Sequence, residues 1–475
     1  MKIENICVWL ACAAVIATGQ TAPSQTATLE NQKKVSVTVY NGGFGVVRDE
    51  RSVKLPLGMV ELKFMEIASQ IQPETVQIDP LTAGEQLTVL EQNYEYDLMS
   101  PENLLEKYVG KEVTLIERND YKGWRNEKKA LLLSYNNRQP IYKIDDKIVI
   151  YRPEQEIEFS TIPENLVSKP TLVWLLNNTL ETEQTIVANY MTQGMRWNAD
   201  YVVVLATNEA NCNVNGWVTL NNNSGATFKD AQLKLVAGDV QRVQPPAPRM
   251  ERRMVMDMAM AAPGKGFEEE SMFEYHLYTL DRPTTLKQNQ QKQISLLEAQ
   301  KVPITKKYRC IGEQNLFRNQ RGDLIKNIKI GVFVEFKNSA EQNLGMPLPK
   351  GVVRVYKADS SGNNQFVGED SIDHTPKDEK IELKLGDAFD IVSERRQTGY
   401  SVLGDRRFEM SWEIKIRNHK PEDISVEVVE PIGGEWQVLE SSFPYVKKDQ
   451  GTIVFTVPVK KDSEAVLTYK VKVEY

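Results

Sequence analysis

Residues 190–240, YMTQGMRWNADYVVVLATNEANCNVNGWVTLNNNSGATFKDAQLKLVAGDV, constrain this chain more than any other stretch. Apolar and polar residues alternate through DYVVVLA, GWVTLNN and AQLKLVAG, and Asn/Gly-rich turns separate the runs. A period of two puts successive side chains on opposite faces of a pleated strand, so the stretch predicts antiparallel sheet with one face buried. Trp197 and Trp217 are the expected core anchors. The same device recurs along the chain, so the expected fold class is all-β: antiparallel sandwiches, a small SH3-like barrel and an immunoglobulin-like C-terminal sandwich.

The order of strands, turns and breaks divides the chain. Lys2 followed by an apolar run from Ile6 to Ala17 reads as a signal peptide over 1–19. A lipoprotein cut at Cys12 is the competing reading, although Trp9-Leu10-Ala11 is a poor lipobox. The run falls short of the roughly 20 residues of a spanning helix, so no integral membrane segment is expected once the signal is removed. VSVTVY, VRDERSVKL, VELKF, TVQID and LTVLEQ predict an N-terminal sandwich module over 33–98. In 99–165, Ser100 as N-cap and Pro101 at the first helical position predict a short helix. KEVTLIE, KKALLLSY, PIYKI, KIVIY and EIEF then predict the small barrel. A third strand-rich block is expected over 166–243, and 244–266, rich in proline and methionine, reads as a linker. Strands resume over 267–400, and 401–475, with WEIKIRN, ISVEVVE, TIVFTVPV and VLTYKVKVEY, predicts the immunoglobulin-like sandwich. The last strand puts Leu467, Tyr469, Val471, Val473 and Tyr475 on one face; a soluble sandwich or an outer-membrane barrel strand would both do so.

A formal net charge of -7 offers no basic bias toward nucleic acid, and no nucleic-acid partner is expected. Cys7 and Cys12 leave with the leader, so Cys212 and Cys310 are the disulfide candidate of an oxidising compartment. Bonded, they would stabilise the fold by about 4–5 kcal/mol in the chain-entropy model. Unbonded, they are two buried thiols.

Chemistry is sparse. HExxH, Walker A, GxGxxG after a strand, CxxC and an EF-hand loop are absent from the sequence. Gly399-Tyr400-Ser401-Val402-Leu403-Gly404 is one residue too long for a nucleophile elbow. Of the histidines, His276 sits in the strand FEYHLYTL as a structural ring and His419 in a solvated turn. His374 follows Glu369, Asp370 and Asp373, which is either an acidic turn or a place to hold a metal or orient a base. Met254, Met256, Met258 and Met260 alternate in the linker, where thioethers could wrap copper(I), meet a partner or fill space. No catalytic residue and no cofactor are assigned from sequence.

RWNADYV, GWVTLNNNSGATFKDAQLKLVAGDV, LPKGVVRVYKAD, FVGEDSIDHTPKDEKIELKLGDAFDIV and WEIKIRNHKPEDISVEVVE resemble the family known as domain of unknown function 4139, over roughly residues 170–475. VYNGGFGVVRDERSVKLPLGMVELKF resembles the N-terminal module of mucoidy-inhibitor-like proteins, which carry a long coiled coil where this chain has its small barrel. The resemblance implies an extracytoplasmic, β-rich Gram-negative protein with a link to envelope polysaccharide, and implies no reaction or catalytic residue. Together, residues and resemblance predict an exported, non-catalytic envelope or surface protein that binds a protein or polysaccharide of the cell envelope. The alternative is a secreted hydrolase using paired carboxylates.

Overall fold

The alternating segments become strands in the computed structural model, which describes residues 22–119, 124–150, 156–163, 166–242 and 267–475. The signal segment 1–19 and Met254, Met256, Met258 and Met260 lie outside the described residues. Among the described residues the protein is all-β with several sheets and no closed barrel, consistent with sandwich architecture. No described helix is long and apolar enough to cross a membrane.

The described residues form two compact units that interleave in sequence: those from 22 to Ser36, within Val46–Gln193 and in Ser224–Ala231 make the first, and those within Val37–Gly45, Gly194–Asn223 and Gln232–Tyr475 the second. This differs from the serial modules expected from sequence.

In the first unit, Thr171–Asn178 lies between Gly58–Met65 and Leu87–Glu95, with Ser24–Ala27 added in parallel to the outer side of Gly58–Met65. The boundary expected at residue 166 is therefore crossed. TLVWLL is buried on both faces, as a central strand must be, and it needs the earlier strands as neighbours on both sides. Trp174 meets Phe64 edge-on at 5.4 Å and donates from Nε1 to Gln92 Oε1 at 2.9 Å. Arg51 is fully buried; its guanidinium stacks 3.7 Å from the Phe64 centroid, pairs with Asp49 at 2.7 Å and donates to the carbonyls of Ala27 and Met65.

The expected helix forms at Pro101–Lys107, and Ser100 Oγ accepts from the Asn103 N–H at 3.0 Å. The five strands after it run in the order Lys147–Ile150, Gln139–Ile144, Trp124–Asn136, Glu112–Asn119, Glu156–Glu158. The fifth joins the first, as an SH3-like arrangement requires, but among the described residues Lys147–Ile150 pairs with Gln139–Ile144 alone. The expected barrel is thus an open sheet, with Tyr108, Val113, Leu115, Ala130, Leu132 and Tyr142 as its core.

In the second unit, one five-stranded sheet has the order Gln290–Pro303, Asn211–Asn222, Met195–Leu205, Gly351–Ala358, Asn364–Ile372. Trp197 is fully buried there, whereas Trp217, in the alternate register, is only partly covered. The C-terminal sandwich stacks a six-stranded sheet (Lys380–Asp387, Ile330–Lys337, Thr305–Ile311, Ile424–Pro431, Thr452–Val459, Tyr445–Asp449) on a five-stranded one (Ile325–Ile328, Ile391–Gly404, Arg407–Asn418, Ser463–Glu474, Glu435–Ser441). The sandwich therefore begins near 305 rather than 401. Thr305–Ile311 enters beside Ile424–Pro431 in parallel, a long-range pairing that periodicity does not reveal. Leu467, Tyr469, Val471 and Val473 face its core, with Trp412 and Phe455.

Candidate functional site

Lys307 and Arg309 are two residues apart on Thr305–Ile311, so both side chains leave by the outer face of the six-stranded sheet while Tyr308 and Cys310 enter its core. Register sets Arg309 opposite Glu427 and Glu335 opposite Glu382. Two carboxylates placed opposite each other repel, unless a cation lies between them. Arg309 supplies it: Nη2 reaches Glu335 Oε1 at 2.7 Å, Nε reaches Glu427 Oε2 at 2.7 Å, and Nη1 donates to Glu382. Its guanidinium also lies 4.7 Å from the Phe333 centroid. Lys307 bridges Glu335 at 3.2 Å and Glu427 at 3.0 Å, and Lys380 reaches Glu335 at 2.6 Å. Three carboxylates and three cations thus form one charge-balanced network on the face. The Arg309 and Glu335 side chains are only 10% and 5% exposed, covered largely by their partners.

A cleft of about 380 Å³ opens beside Glu335, with Pro303, Phe336, Gln342, Asp378 and Glu379 in its lining. Burial would raise the Glu335 carboxyl, but hydrogen bonds with Lys380, Glu382 and Lys307, and the Lys307 charge, outweigh it and hold the group down at about 2. Glu427 is likewise lowered, the pull of Arg309 and Lys307 exceeding burial. These carboxylates are permanent anions near neutral pH.

The opposite case lies inside the sandwich. Glu430 and Arg395 are fully buried and pair through the two terminal guanidinium nitrogens, Nη1 to Oε2 at 3.1 Å and Nη2 to Oε1. Burial pushes the Glu430 carboxyl above its usual range although Arg395 opposes it. Gly312 makes room for the pair, since a Cβ there would stand 2.2 Å from Glu430 Oε2.

The residues singled out from sequence lie elsewhere. Cys212 and Cys310 are free and buried in two different sheets, so the disulfide alternative is not formed and the two-thiol alternative describes this structure. His276 is partly exposed, with Nδ1 2.7 Å from Glu269 Oε1. The acidic residues preceding His374 do not converge on it as a set: Glu369 pairs with Arg354, and Asp370 accepts the backbone N–H groups of Ser371 and Lys384. His374 Nδ1 accepts the Lys350 backbone N–H at 3.3 Å, and burial followed by the Lys350 charge lowers its pKa. His419 lies in an exposed turn, and Ser401 on the exposed end of Ile391–Gly404. Among the described residues no group of three or more His, Cys, Asp or Glu side chains is placed to hold a metal ion.

Arg309, Glu335, Glu382 and Glu427 were not legible as a site. Their signal in sequence is charge on alternate strand positions, as in Lys307 and Arg309, which is equally the mark of any solvated sheet face. Only strand order brings them within reach of one guanidinium.

Fold and site together define a multi-sheet all-β protein whose charged face is built from cross-strand ion pairs. The family model described as Domain of unknown function (DUF4139) matches residues 186–475, and the chain belongs to that family. No curated protein matches the chain.

Proposed function

We propose that this is an exported, non-catalytic protein of the Gram-negative envelope or cell surface that binds a protein or polysaccharide partner. The observation that carries the reading is the division of its perturbed carboxylates. Hydrolysis by paired carboxylates needs one carboxyl that holds a proton near neutral pH and touches substrate. Glu335, beside the cleft, and Glu427, on the neighbouring strand of the network, are held ionised by lysine and arginine, and the carboxyl raised among the described residues, Glu430, is sealed in a core. The surface offers contacts of another kind. Ile148 and Ile150 are 71% and 66% exposed on Lys147–Ile150, an edge strand of the small sheet among the described residues. An open edge with outward apolar side chains accepts an added extended strand.

Intact-mass analysis of the exported protein, a pull-down from envelope extracts and a glycan array test the reading. The expected result is a mature form lacking Met1, and capture of a protein or glycan that is lost in Ile148→Glu/Ile150→Glu. Retention of Met1 in the exported form overturns cleavage of the signal segment, and recovery of the protein from the cytoplasm alone overturns export. Cleavage of envelope polysaccharide by the wild type, abolished in Glu335→Gln, overturns the non-catalytic assignment.

A further inference from the structure

The small sheet of the first unit presents two unlike edges. Among the described residues, one edge strand is Glu156–Glu158 and the other is Lys147–Ile150. Glu156 and Glu158 blunt the first, paired with Arg118 at 3.1 Å and with Arg125 at 2.9 Å. An edge strand of the six-stranded sheet, Tyr445–Asp449, likewise carries Lys447 and Lys448. Charges of this kind keep a strand edge from recruiting another strand. Lys147–Ile150 has its one charge at the first position and leaves Ile148 and Ile150 mostly exposed.

The turn before this strand fixes where its peptide groups point. Asp145 and Asp146 join it to Gln139–Ile144 as a two-residue turn, both residues left-handed with φ 44° and 60°, which is the type I′ form. Such a turn makes Ile144 and Lys147 the pair that exchanges both backbone hydrogen bonds, and bonded and non-bonded pairs alternate from there. Lys143–Ile148 and Ile141–Ile150 are therefore non-bonded pairs. The N–H and C=O groups of Ile148 and Ile150 point outward from the edge, away from Gln139–Ile144.

A second copy of the same strand meets both demands about a twofold axis at Val149. Antiparallel pairing centred there sets Ile148 of each copy opposite Ile150 of the other, and Val149 opposite itself. Every outward peptide group of the two isoleucines then has a partner, and their side chains line one face of a continuous sheet beside Ile141. Centring on Ile148 instead would set Ile150 against Asp146, and centring between two residues would oppose outward peptide groups to inward ones. We propose that the protein self-associates through Lys147–Ile150, as an antiparallel strand pair with a second copy of this chain. The inference rests on the strand-addition reading of this edge made above and commits it to one occupant. So short a seam falls below the roughly 1,200 Å² of stable interfaces, which makes the dimer a transient one.

Sedimentation equilibrium of the purified full chain, from micromolar to millimolar concentration, tests it. The expected result is a reversible monomer–dimer equilibrium. Ile148→Glu and Ile150→Lys should each weaken association about tenfold or more, since each sets a charge against an isoleucine twice per dimer. The double variant Ile148→Glu/Ile150→Lys opposes glutamate to lysine at both places and should recover most of the loss, which also excludes misfolding as its cause. A monomer at every concentration, single variants that associate like the wild type, or a double variant weaker than either single one would each overturn the proposal. Because the purified chain is tested alone, a monomer that still captures an envelope partner through Ile148 and Ile150 overturns self-association only. A dimer that captures none overturns the partner reading only.

Discussion

The interior of the C-terminal sandwich and its outer face each centre on one arginine, and the same ion-pair chemistry has opposite consequences in the two places. Arg395 meets a single carboxylate with no solvent, and burial drives Glu430 toward its protonated form. Arg309 meets three carboxylates at the rim of water, with Lys307 and Lys380 beside it, and Glu335 is driven the other way. Desolvation acts on both carboxyls. Depth of burial and the number of hydrogen-bonding and cationic partners within reach together decide which way each titrates.

The contrast is broken most severely from inside. Glu430→Leu strands the Arg395 guanidinium in the core and should cost about 3–5 kcal/mol. The double replacement Arg395→Met/Glu430→Leu should recover most of that loss, because a well-packed apolar pair replaces a buried ionic one at little cost. Urea denaturation of the three proteins decides the matter, and a single variant as stable as the double one would show that the pair is not the isolated unit described here.

On the outer face, Arg309→Leu removes the hub but leaves Glu335, Glu382 and Glu427 access to water and to the two lysines. The expected loss is smaller, about 2–3 kcal/mol, and should be partly relieved by salt, which screens the remaining carboxylates. Loss equal to that of Glu430→Leu, or no salt dependence, would erase the distinction between the two regions.

Glu335 sharpens it through pH. Its folded pKa lies below its ordinary value of 4.5, at about 2, so the stability it contributes is present above about 4.5 and is lost as pH falls toward 2. Glu335→Gln should flatten the fall in melting temperature across that window and have its largest effect near neutrality. An acid limb as steep in the variant as in the wild type would place the titrating group elsewhere. The smallest effect is expected at His374, which lies in neither cluster: His374→Ala gives up the bond from the Lys350 N–H and should cost about 1 kcal/mol. Folding with loss of a partner or an activity at that position would make the acidic turn the functional site.

Much of the fold is legible locally. Period-two alternation finds the strands of the C-terminal sandwich, and Ser100 with Pro101 finds the helix start, because these signals depend on residues adjacent in the chain. TLVWLL was readable as a strand but not as the centre of a sheet with Gly58–Met65 and Leu87–Glu95, partners roughly a hundred residues earlier. Leu87–Glu95 also shows the limit of the pattern, since its alternation buries little beyond Leu87. The acidic residues preceding His374 drew attention by their crowding in sequence, yet two of them serve Arg354 and the backbone.

By itself the sequence determined what each segment can become: strands from alternation, turns from Asn and Gly, a helix from its cap, and the absence of local catalytic motifs. Tertiary structure alone decided which strands are neighbours, and with that which charges meet. Glu335 and Glu427 stand 92 positions apart and share Arg309 and Lys307 only because Thr305–Ile311 runs between their strands. An ion pair depends on a few ångströms of separation and on how much water remains, and neither quantity is written in the order of residues along a chain.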